Sequence, residues 1–509
     1  MKWNKTLLRV VLIVSFLGIN ALLLFGISSV WSYLNTGADR STRLHISKDK
    51  DLSYLPEVTW DTLDVKGRPM EKGTLTKIER DYLNSWYVKN NALFTNNIYG
   101  LADYFTDSAQ TKIYDLITFN KAQGNSFKQT SLEHHPKLKF YSTDGTQVMF
   151  TDYNVRVHQK SLLNNTPIVE QTSTNSYKVI MLLEDGFWRV RHCTKISERV
   201  NLNKTDSVSK KNLEAVSAIK GLNYYPKDSP WDTFGKKYKD SIIAHDFEKI
   251  RNMGLNTVRI FIPYKDFGEA KVDNEKLKNV ASLLEKAEEN HLNVVITLFD
   301  FYGDYDITDW SLTHQHVKTV VTALKDYKAL LAWDIKNEPD LDFDSRGKEN
   351  VLSWLKELNH QIKKWDTEHP ITIGWSNTTA ATNLVSELDF VSFHYYLDPD
   401  TFTTAYTTLK NVVSVSKPVV LQEYGMSSYS SFWNAFNGSE EKQALYYTTM
   451  QAILKQEDIP YLFWTLYDFK EVPTSVVGSL PWRKKPQKNY GCLTIDEEEK
   501  TSFKILARK

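Results

Sequence analysis

Cysteine is nearly absent from this chain, with two residues, Cys193 and Cys492, in 509. Two thiols cannot build a disulfide framework or a multi-thiolate metal site. An excess of one charge is lacking too: 63 basic side chains face 62 acidic ones, for a formal net charge of +1. A broad nucleic-acid surface needs a basic excess, so that partner class is excluded. What is present is ordinary globular material, 41% apolar and 25% charged. At roughly 150 residues per domain the length predicts about three domains, or fewer if one is a large α/β barrel.

Residues 10–30 form an uncharged run dominated by Val, Leu, Ile and Phe. At about 1.5 Å rise per residue, a helix of that length just spans a hydrocarbon core of about 30 Å. Lys2, Lys5 and Arg9 precede it, and Trp3 and Trp31 bracket it. The positive-inside rule then puts residues 1–9 in the cytoplasm as a stub, with 10–33 as a signal-anchor helix in the lipid bilayer. A cleaved signal peptide would have a shorter apolar region and a small-x-small site, and Ser28-Ser29 is a poor substitute for one. The remainder is expected outside the membrane, in the periplasm or at the cell surface.

Residues 34–73 are polar and irregular and read as a tether. From Thr74 the pattern is helical, with Leu75, Ile78, Tyr82 and Trp86 at helical spacing. After Pro136 it changes to strands at 137–141, 147–157, 169–183 and 188–196, with hairpin turns at Asp144-Gly145 and Asp185-Gly186. His134-His135 reads as a solvated loop pair. Helices followed by a curved antiparallel sheet, ending in Phe187-Trp188-Arg189-Val190, resemble the nuclear transport factor 2-like (cystatin-like cone) superfamily over residues 74–197. A second polar linker is expected at 198–216.

From residue 217 to 509, strand and helix signals alternate. Candidate strands start near Ala218, Thr257, Asn293, Leu330, Pro370, Asp389, Pro418 and Ile459. Eight such units predict an α/β fold of the (β/α)8 TIM-barrel type. A doubly wound open sheet is the competing arrangement, but no glycine-rich phosphate loop follows any of these strands. Barrel chemistry belongs at the C-terminal strand ends. Strand four ends Asn337-Glu338-Pro339 and strand seven ends Gln422-Glu423-Tyr424, so each opens a glutamate into the cleft. Two carboxyls on one barrel face, with no metal motif to claim them, point to glycoside hydrolysis: one protonates the leaving oxygen, and the other attacks the anomeric carbon or activates water. His314 and His316 read as loop and helix start rather than a metal pair. No metal or cofactor is expected.

Asn337-Glu338-Pro339 with Glu423 resembles the clan A retaining glycoside hydrolases, most closely glycoside hydrolase family 5, the cellulase and mannanase family. Other motifs agree in order across residues 218–480. Arg259 stands in Thr257-Val258-Arg259-Ile260, His394 and Tyr396 in Phe393-His394-Tyr395-Tyr396, and Trp464 in Phe463-Trp464-Thr465. The resemblance implies Glu338 as acid/base and Glu423 as nucleophile. It also implies that Arg259 supports the nucleophile, that Asn337 holds the sugar 2-hydroxyl, and that Trp464 floors the subsite. One departure stands at strand three, where Asp300-Phe301-Tyr302 puts tyrosine in place of the family's histidine beside the sugar.

Sugars present apolar C–H faces that stack on aromatic rings. Tyr224, Tyr225 and Trp231 follow strand one and are expected to line the cleft, with Tyr302; Trp310, Trp375, Trp433 and Trp482 are further candidates. Several platforms suggest a β-linked oligo- or polysaccharide, of β-glucan or mannan type, as the substrate. A transglycosidase would use the same two glutamates. A catalytically silent glycan-binding scaffold would need neither. The sequence names no protein partner.

Overall fold

The structure, a computed structural model, describes residues 13–27, 54–63, 65–197, 209–431, 438–478 and 480–507. Residues 1–9 and Trp433 lie outside them, as do most of the expected tether and the first half of the expected linker. Residues 13–27 of the apolar run are helical. Among the described residues, no helix is long and apolar enough to cross a membrane.

The first globular region pairs helices with a seven-stranded sheet. The helix Lys72–Thr95 buries Ile78, Tyr82 and Trp86, spaced four apart on one face, and stops where Asn96 turns left-handed at φ 51°. A second helix, Asp107–Gln123, ends on Gly124 at φ 69°. The strands are β1 (Glu57–Val58), β2 (Lys66–Gly67), β3 (Asn125–Ser131), β4 (Glu133–Tyr141), β5 (Gln147–Leu163), β6 (Thr166–Glu184) and β7 (Phe187–Ile196). From β4 through β7 the neighbours run antiparallel. The β6–β7 turn is two residues, Asp185 and Gly186, both at positive φ, as a tight hairpin requires.

Three expectations need correction here. Residues 54–63 and 65–70, assigned by polarity to the tether, lie along the sheet: β1 and β2 pair with β4, and Trp60 packs edge-on against Phe150. The strand β3 escaped notice because Asn125–Ser131 is largely polar. His134 is no solvated loop residue. It is fully buried in β4, with Nδ1 2.6 Å from Asp152 Oδ2 and Nε2 3.0 Å from Ser131 Oγ. Its acidic partner lies eighteen residues away, across the β4–β5 pairing, where sequence proximity does not show it.

The second region is a closed parallel barrel of β8 (Lys220–Asn223), β9 (Thr257–Pro263), β10 (Asn293–Asp300), β11 (Leu330–Asn337), β12 (Ile371–Trp375), β13 (Val391–Tyr395), β14 (Val419–Tyr424) and β15 (Tyr461–Phe463). All eight begin within two residues of their predicted starts. The strands read as continuous apolar runs because both faces are covered. The helix Lys210–Ser217, which falls in the expected linker, sends Val216 against Ile219, Val295, Leu331 and Leu462. It therefore belongs to the barrel.

The two regions share charged contacts. Arg156 Nη2 lies 2.9 Å from Glu357 on the helix Lys348–Trp365, and Glu57 lies 2.6 Å from Lys318 on the helix Trp310–Leu324. Lys364 pairs with Glu133, and Lys128 Nζ lies 2.6 Å from Asp306, just past β10. His314 and His316 sit in the Trp310–Leu324 helix, both fully buried. His314 faces Glu57, and His316 Nδ1 bonds the Glu269 carbonyl.

Candidate active site

Arg259 projects from the middle of β9 and is completely buried. A buried guanidinium must be paired and fully hydrogen-bonded. Its Nη2 donates to Asp334 Oδ2 at 2.7 Å and Asn337 Oδ1 at 2.9 Å, and its Nη1 to Asn223 Oδ1 at 3.0 Å and Glu423 Oε2 at 3.1 Å. Nε donates to Thr297 Oγ1 at 2.9 Å. Burial works against the charge, but Asp334 and Glu423 outweigh it and hold the guanidinium pKa above its ordinary value. One cation thus ties together β8, β9, β10, β11 and β14.

Glu423, near the end of β14, is held on both oxygens: Arg259 donates to Oε2 and the Tyr396 hydroxyl to Oε1. Glu338 follows β11 directly, in a left-handed conformation (φ 46°, ψ 53°) that a residue with a Cβ seldom adopts. The neighbouring strand enforces it, since Glu338 N donates to the Gly374 carbonyl at 2.7 Å. His394 on β13 puts Nδ1 2.9 Å from Glu338 Oε1 and 3.9 Å from Glu423 Oε2. Burial disfavours a charged His394, yet Glu423 and Glu338 outweigh it and raise its pKa. A carboxylate oxygen of each glutamate and a His394 nitrogen all lie within 4.8 Å of one another. Among the described residues this is the one trio of acidic and imidazole groups close enough to share a metal ion. The cation it faces in the chain itself is Arg259.

The expected aromatic residues divide. Tyr225, Trp231 and Trp464 cluster with Phe261 and Phe469: Tyr225 stacks on Phe261 at 5.1 Å, and Trp231 lies 6.3 Å from Trp464. The Tyr225 hydroxyl reaches Asp300 Oδ2 at 3.3 Å. The Trp464–Thr465 peptide is cis. Tyr224 and Tyr302, by contrast, do not line the cleft. The Tyr224 hydroxyl donates to Asp246 on the helix Asp240–Asn252, behind the barrel wall. Tyr302 stacks on Trp354 at 4.9 Å and packs among Phe299, Tyr264 and Tyr305, in the layer between strands and helices. Phe301, at φ 56°, reverses the chain just before it. Trp310 and Trp375 are also core residues. Beside His394 and Tyr396 opens a cavity of about 660 Å³, walled by Ser376, Asn377, Leu397 and Thr404.

The sequence reading missed the groups that aim Arg259. Asp334 is fully buried and accepts from Arg259, Thr297 and the Gly374 amide. Asn223 and Thr297 complete the shell. Their signal was a polar side chain inside an apolar strand, as in Ala332-Trp333-Asp334-Ile335 and Val295-Ile296-Thr297-Leu298. Gly374 is the other omission: a Cβ there would sit 2.6 Å from Gln422 Oε1 and 2.8 Å from Arg259 Nη2.

Comparison with known proteins finds glycoside hydrolases. Mannan endo-1,4-beta-mannosidase A of Hypocrea jecorina is 23% identical over 194 residues, which cover 29% of this chain and 44% of that protein. Mannan endo-1,4-beta-mannosidase 5 of Solanum lycopersicum is 26% identical over 179 residues, covering 26% of this chain and 42% of the relative. The chain therefore spans less than half the length of these curated relatives. Among solved structures, GH5_18 from Streptomyces cattleya, in complex with GlcNAc, is 17% identical with a TM-score of 0.46, covering 60% of this chain and 80% of that one. The model of the family described as Cellulase (glycosyl hydrolase family 5) matches residues 213–470. That span is just over half of the chain and takes in all eight barrel strands, Glu338 and Glu423, so the chain belongs to glycosyl hydrolase family 5.

Proposed function

We propose that the protein is a membrane-anchored retaining β-glycosidase acting on a β-linked mannan or manno-oligosaccharide. The observation that carries this reading is the approach of Glu338 and Glu423 oxygens to within 4.8 Å. A retaining mechanism needs carboxyls only about 5–5.5 Å apart, whereas inversion needs about 6.5–9.5 Å to admit a water. The relatives' names favour mannan over other β-glycans.

In the first step Glu338 gives its proton to the glycosidic oxygen as that C–O bond breaks, and Glu423 Oε attacks the anomeric carbon to form a glycosyl ester. In the second, a water gives its proton to Glu338 and its oxygen to the anomeric carbon, releasing Glu423 as carboxylate. Arg259 and Tyr396 orient Glu423 through its two oxygens. Because Asn337 spends its carbonyl on Arg259, its amide N–H groups remain to donate to the sugar 2-hydroxyl. His394 donates to Glu338 from Nδ1 and so aims its proton at the leaving oxygen. Tyr225, Trp231 and Trp464 supply the apolar side of the subsite.

Residues 10–33 are the anchor and put the N-terminus in the cytoplasm. This is supported by the described part, where Phe16, Leu17, Leu23 and Phe25 all stand exposed on a helix that buries none of them. Such a surface demands an apolar medium. The helix-and-sheet region is assigned to the cone-like superfamily on its helix-then-sheet order.

The test uses the full chain in detergent with β-mannans, β-glucans and aryl β-glycosides. Glu423→Gln should abolish turnover with the fold intact. Glu338→Ala should keep slow cleavage of aryl glycosides with good leaving groups, accelerated by azide. Full activity in both variants on every substrate the wild type cleaves defeats the assignment.

A further inference from the structure

A cavity of about 340 Å³ lies where the two regions meet, walled by the helix Lys72–Thr95 and β3 on one side and by Asp306–Asp309 on the other. The family match begins at residue 213, so most of this wall lies outside it. We propose that this cavity is a second saccharide subsite, which holds the distal rings of a chain whose scissile bond lies between Glu338 and Glu423. The proposal rests on the glycosidase reading and extends it.

Its lining has the chemistry of a neutral, hydroxyl-rich ligand. Of its three charged groups, Lys128 and Asp306 are spent on each other at 2.6 Å, with Lys128 also 4.6 Å over the Phe94 ring, and Asp309 is buried. Tyr54, Tyr87 and Phe94 give three aromatic faces for sugar C–H groups. The amides of Asn90 and Gln129 meet as Gln129 Nε2 to Asn90 Oδ1 at 2.9 Å, which leaves the Asn90 N–H groups and the Gln129 carbonyl to address hydroxyls.

Two further observations point to a ligand. Thr130 borders the cavity and is 1% exposed, and its hydroxyl has no hydrogen-bond partner in the protein. A buried hydroxyl left so is costly unless something else completes it. Tyr54 is locked in place by fully buried groups: its hydroxyl lies 2.6 Å from Ser131 Oγ and 3.1 Å from His134 Nε2, and Asp152 holds the other His134 nitrogen. A ring fixed in advance loses little entropy when a ligand stacks on it.

The position suits one continuous substrate. Asp306 follows Asp300 by six residues, and Asp300 meets Tyr225 in the cleft. Six residues reach at most about 20 Å, so the second subsite stands within a short oligosaccharide of the first. The loop between them leaves from the C-terminal barrel face, on which both glutamates open.

The test titrates Glu423→Gln protein, full chain in detergent, with mannobiose through mannohexaose and the matching cello-oligosaccharides, by calorimetry. Tyr87→Ala and Thr130→Val are then added singly to that background. The expected result is that affinity for the longest binding oligosaccharide falls about tenfold in each double variant, while disaccharide affinity is unchanged. In the active protein, Tyr87→Ala and Thr130→Val should leave aryl β-glycoside turnover at the wild-type rate. Long oligosaccharides that bind equally well in all variants overturn the proposal, especially if Thr130→Val only raises Tm. Wild-type cleavage of aryl glycosides, lost in Glu423→Gln, judges the glycosidase reading separately, so either idea can fail alone.

Discussion

Gly374→Ala places one methyl group against the ion pair that carries the site. Gly374 lies in β12, donates its N–H to Asp334 Oδ1 at 2.9 Å and accepts from Glu338 N at 2.7 Å, so its backbone cannot retreat freely. The added Cβ would meet Arg259 Nη2 at 2.8 Å, Gln422 Oε1 at 2.6 Å and Asp334 Oδ2 at 3.2 Å, whereas ordinary contact begins at 3.4 Å. The guanidinium must therefore move by about 0.6 Å, away from bonds of 2.7 Å to Asp334 and 2.9 Å to Asn337. Overpacking of this kind costs about 1–3 kcal/mol, or roughly 2–10 °C in Tm for a domain of this size. Because Arg259 also aims Glu423, a displacement of this order should lower kcat by about 10- to 100-fold. Scanning calorimetry and aryl β-glycoside kinetics would be run side by side. A fall in Tm with kcat held within about twofold would refute the idea that Arg259 transmits its position to the nucleophile. An unchanged Tm would refute the packing argument itself.

Three other outcomes follow from specific contacts. Tyr302→His restores the residue type usual in the family, yet it should cost roughly 1–3 kcal/mol of stability, because it hollows the stack on Trp354. KM should hardly change, and a large gain in substrate affinity would show that Tyr302 faces the cleft after all. Asp152→Asn should lose about 1.5–3 kcal/mol in urea unfolding, since Asp152 accepts from Tyr82, His134 and the His135 amide; a loss below about 0.5 kcal/mol would argue that the network is idle. The contact between the two regions should weaken in acid. His314 and Lys318 hold Glu57 at about 2 against its burial, and His158 and Arg156 overcome the burial of Glu357 to hold it at about 2 also. Both carboxyls are depressed in the folded state, so their contribution is complete above the unfolded value of about 4.3 and is lost as pH falls through about 2. Calorimetry between about pH 6 and pH 2 should show the transitions of the two regions separating, and Glu357→Gln should flatten part of that dependence. An identical acid profile in the variant would rule the pair out as its source.

The barrel could be read from the chain because its strands are local and redundant. Thr257–Pro263 and Asn293–Asp300 are buried along almost their whole length, so each announces itself as a short apolar run whatever its neighbours do. Glu338 and Glu423 were legible for the same reason: an acidic residue that ends such a run has only the open face of the barrel to occupy. The polar strand Asn125–Ser131 gave no such signal, since its pairing partner Val157–Leu163 lies some thirty residues on.

Sequence by itself thus determined which segments of the barrel are strands, where the carboxylates stand along them, and the family to which that order belongs. Tertiary structure alone decided which aromatic rings gather around Trp464. Tyr224 and Tyr225 are adjacent just past β8, where Tyr224 N still bonds the Arg259 carbonyl at 2.9 Å, so the alternation of faces carries on: Tyr225 joins Trp464 while Tyr224 donates to Asp246 outside the barrel. It also decided what holds Arg259, because Asn223, Thr297, Asp334 and Glu423 come from four strands and meet only once the barrel closes. Interactions local in the chain can be seen in its order. A buried cation is satisfied by whatever folding brings to it.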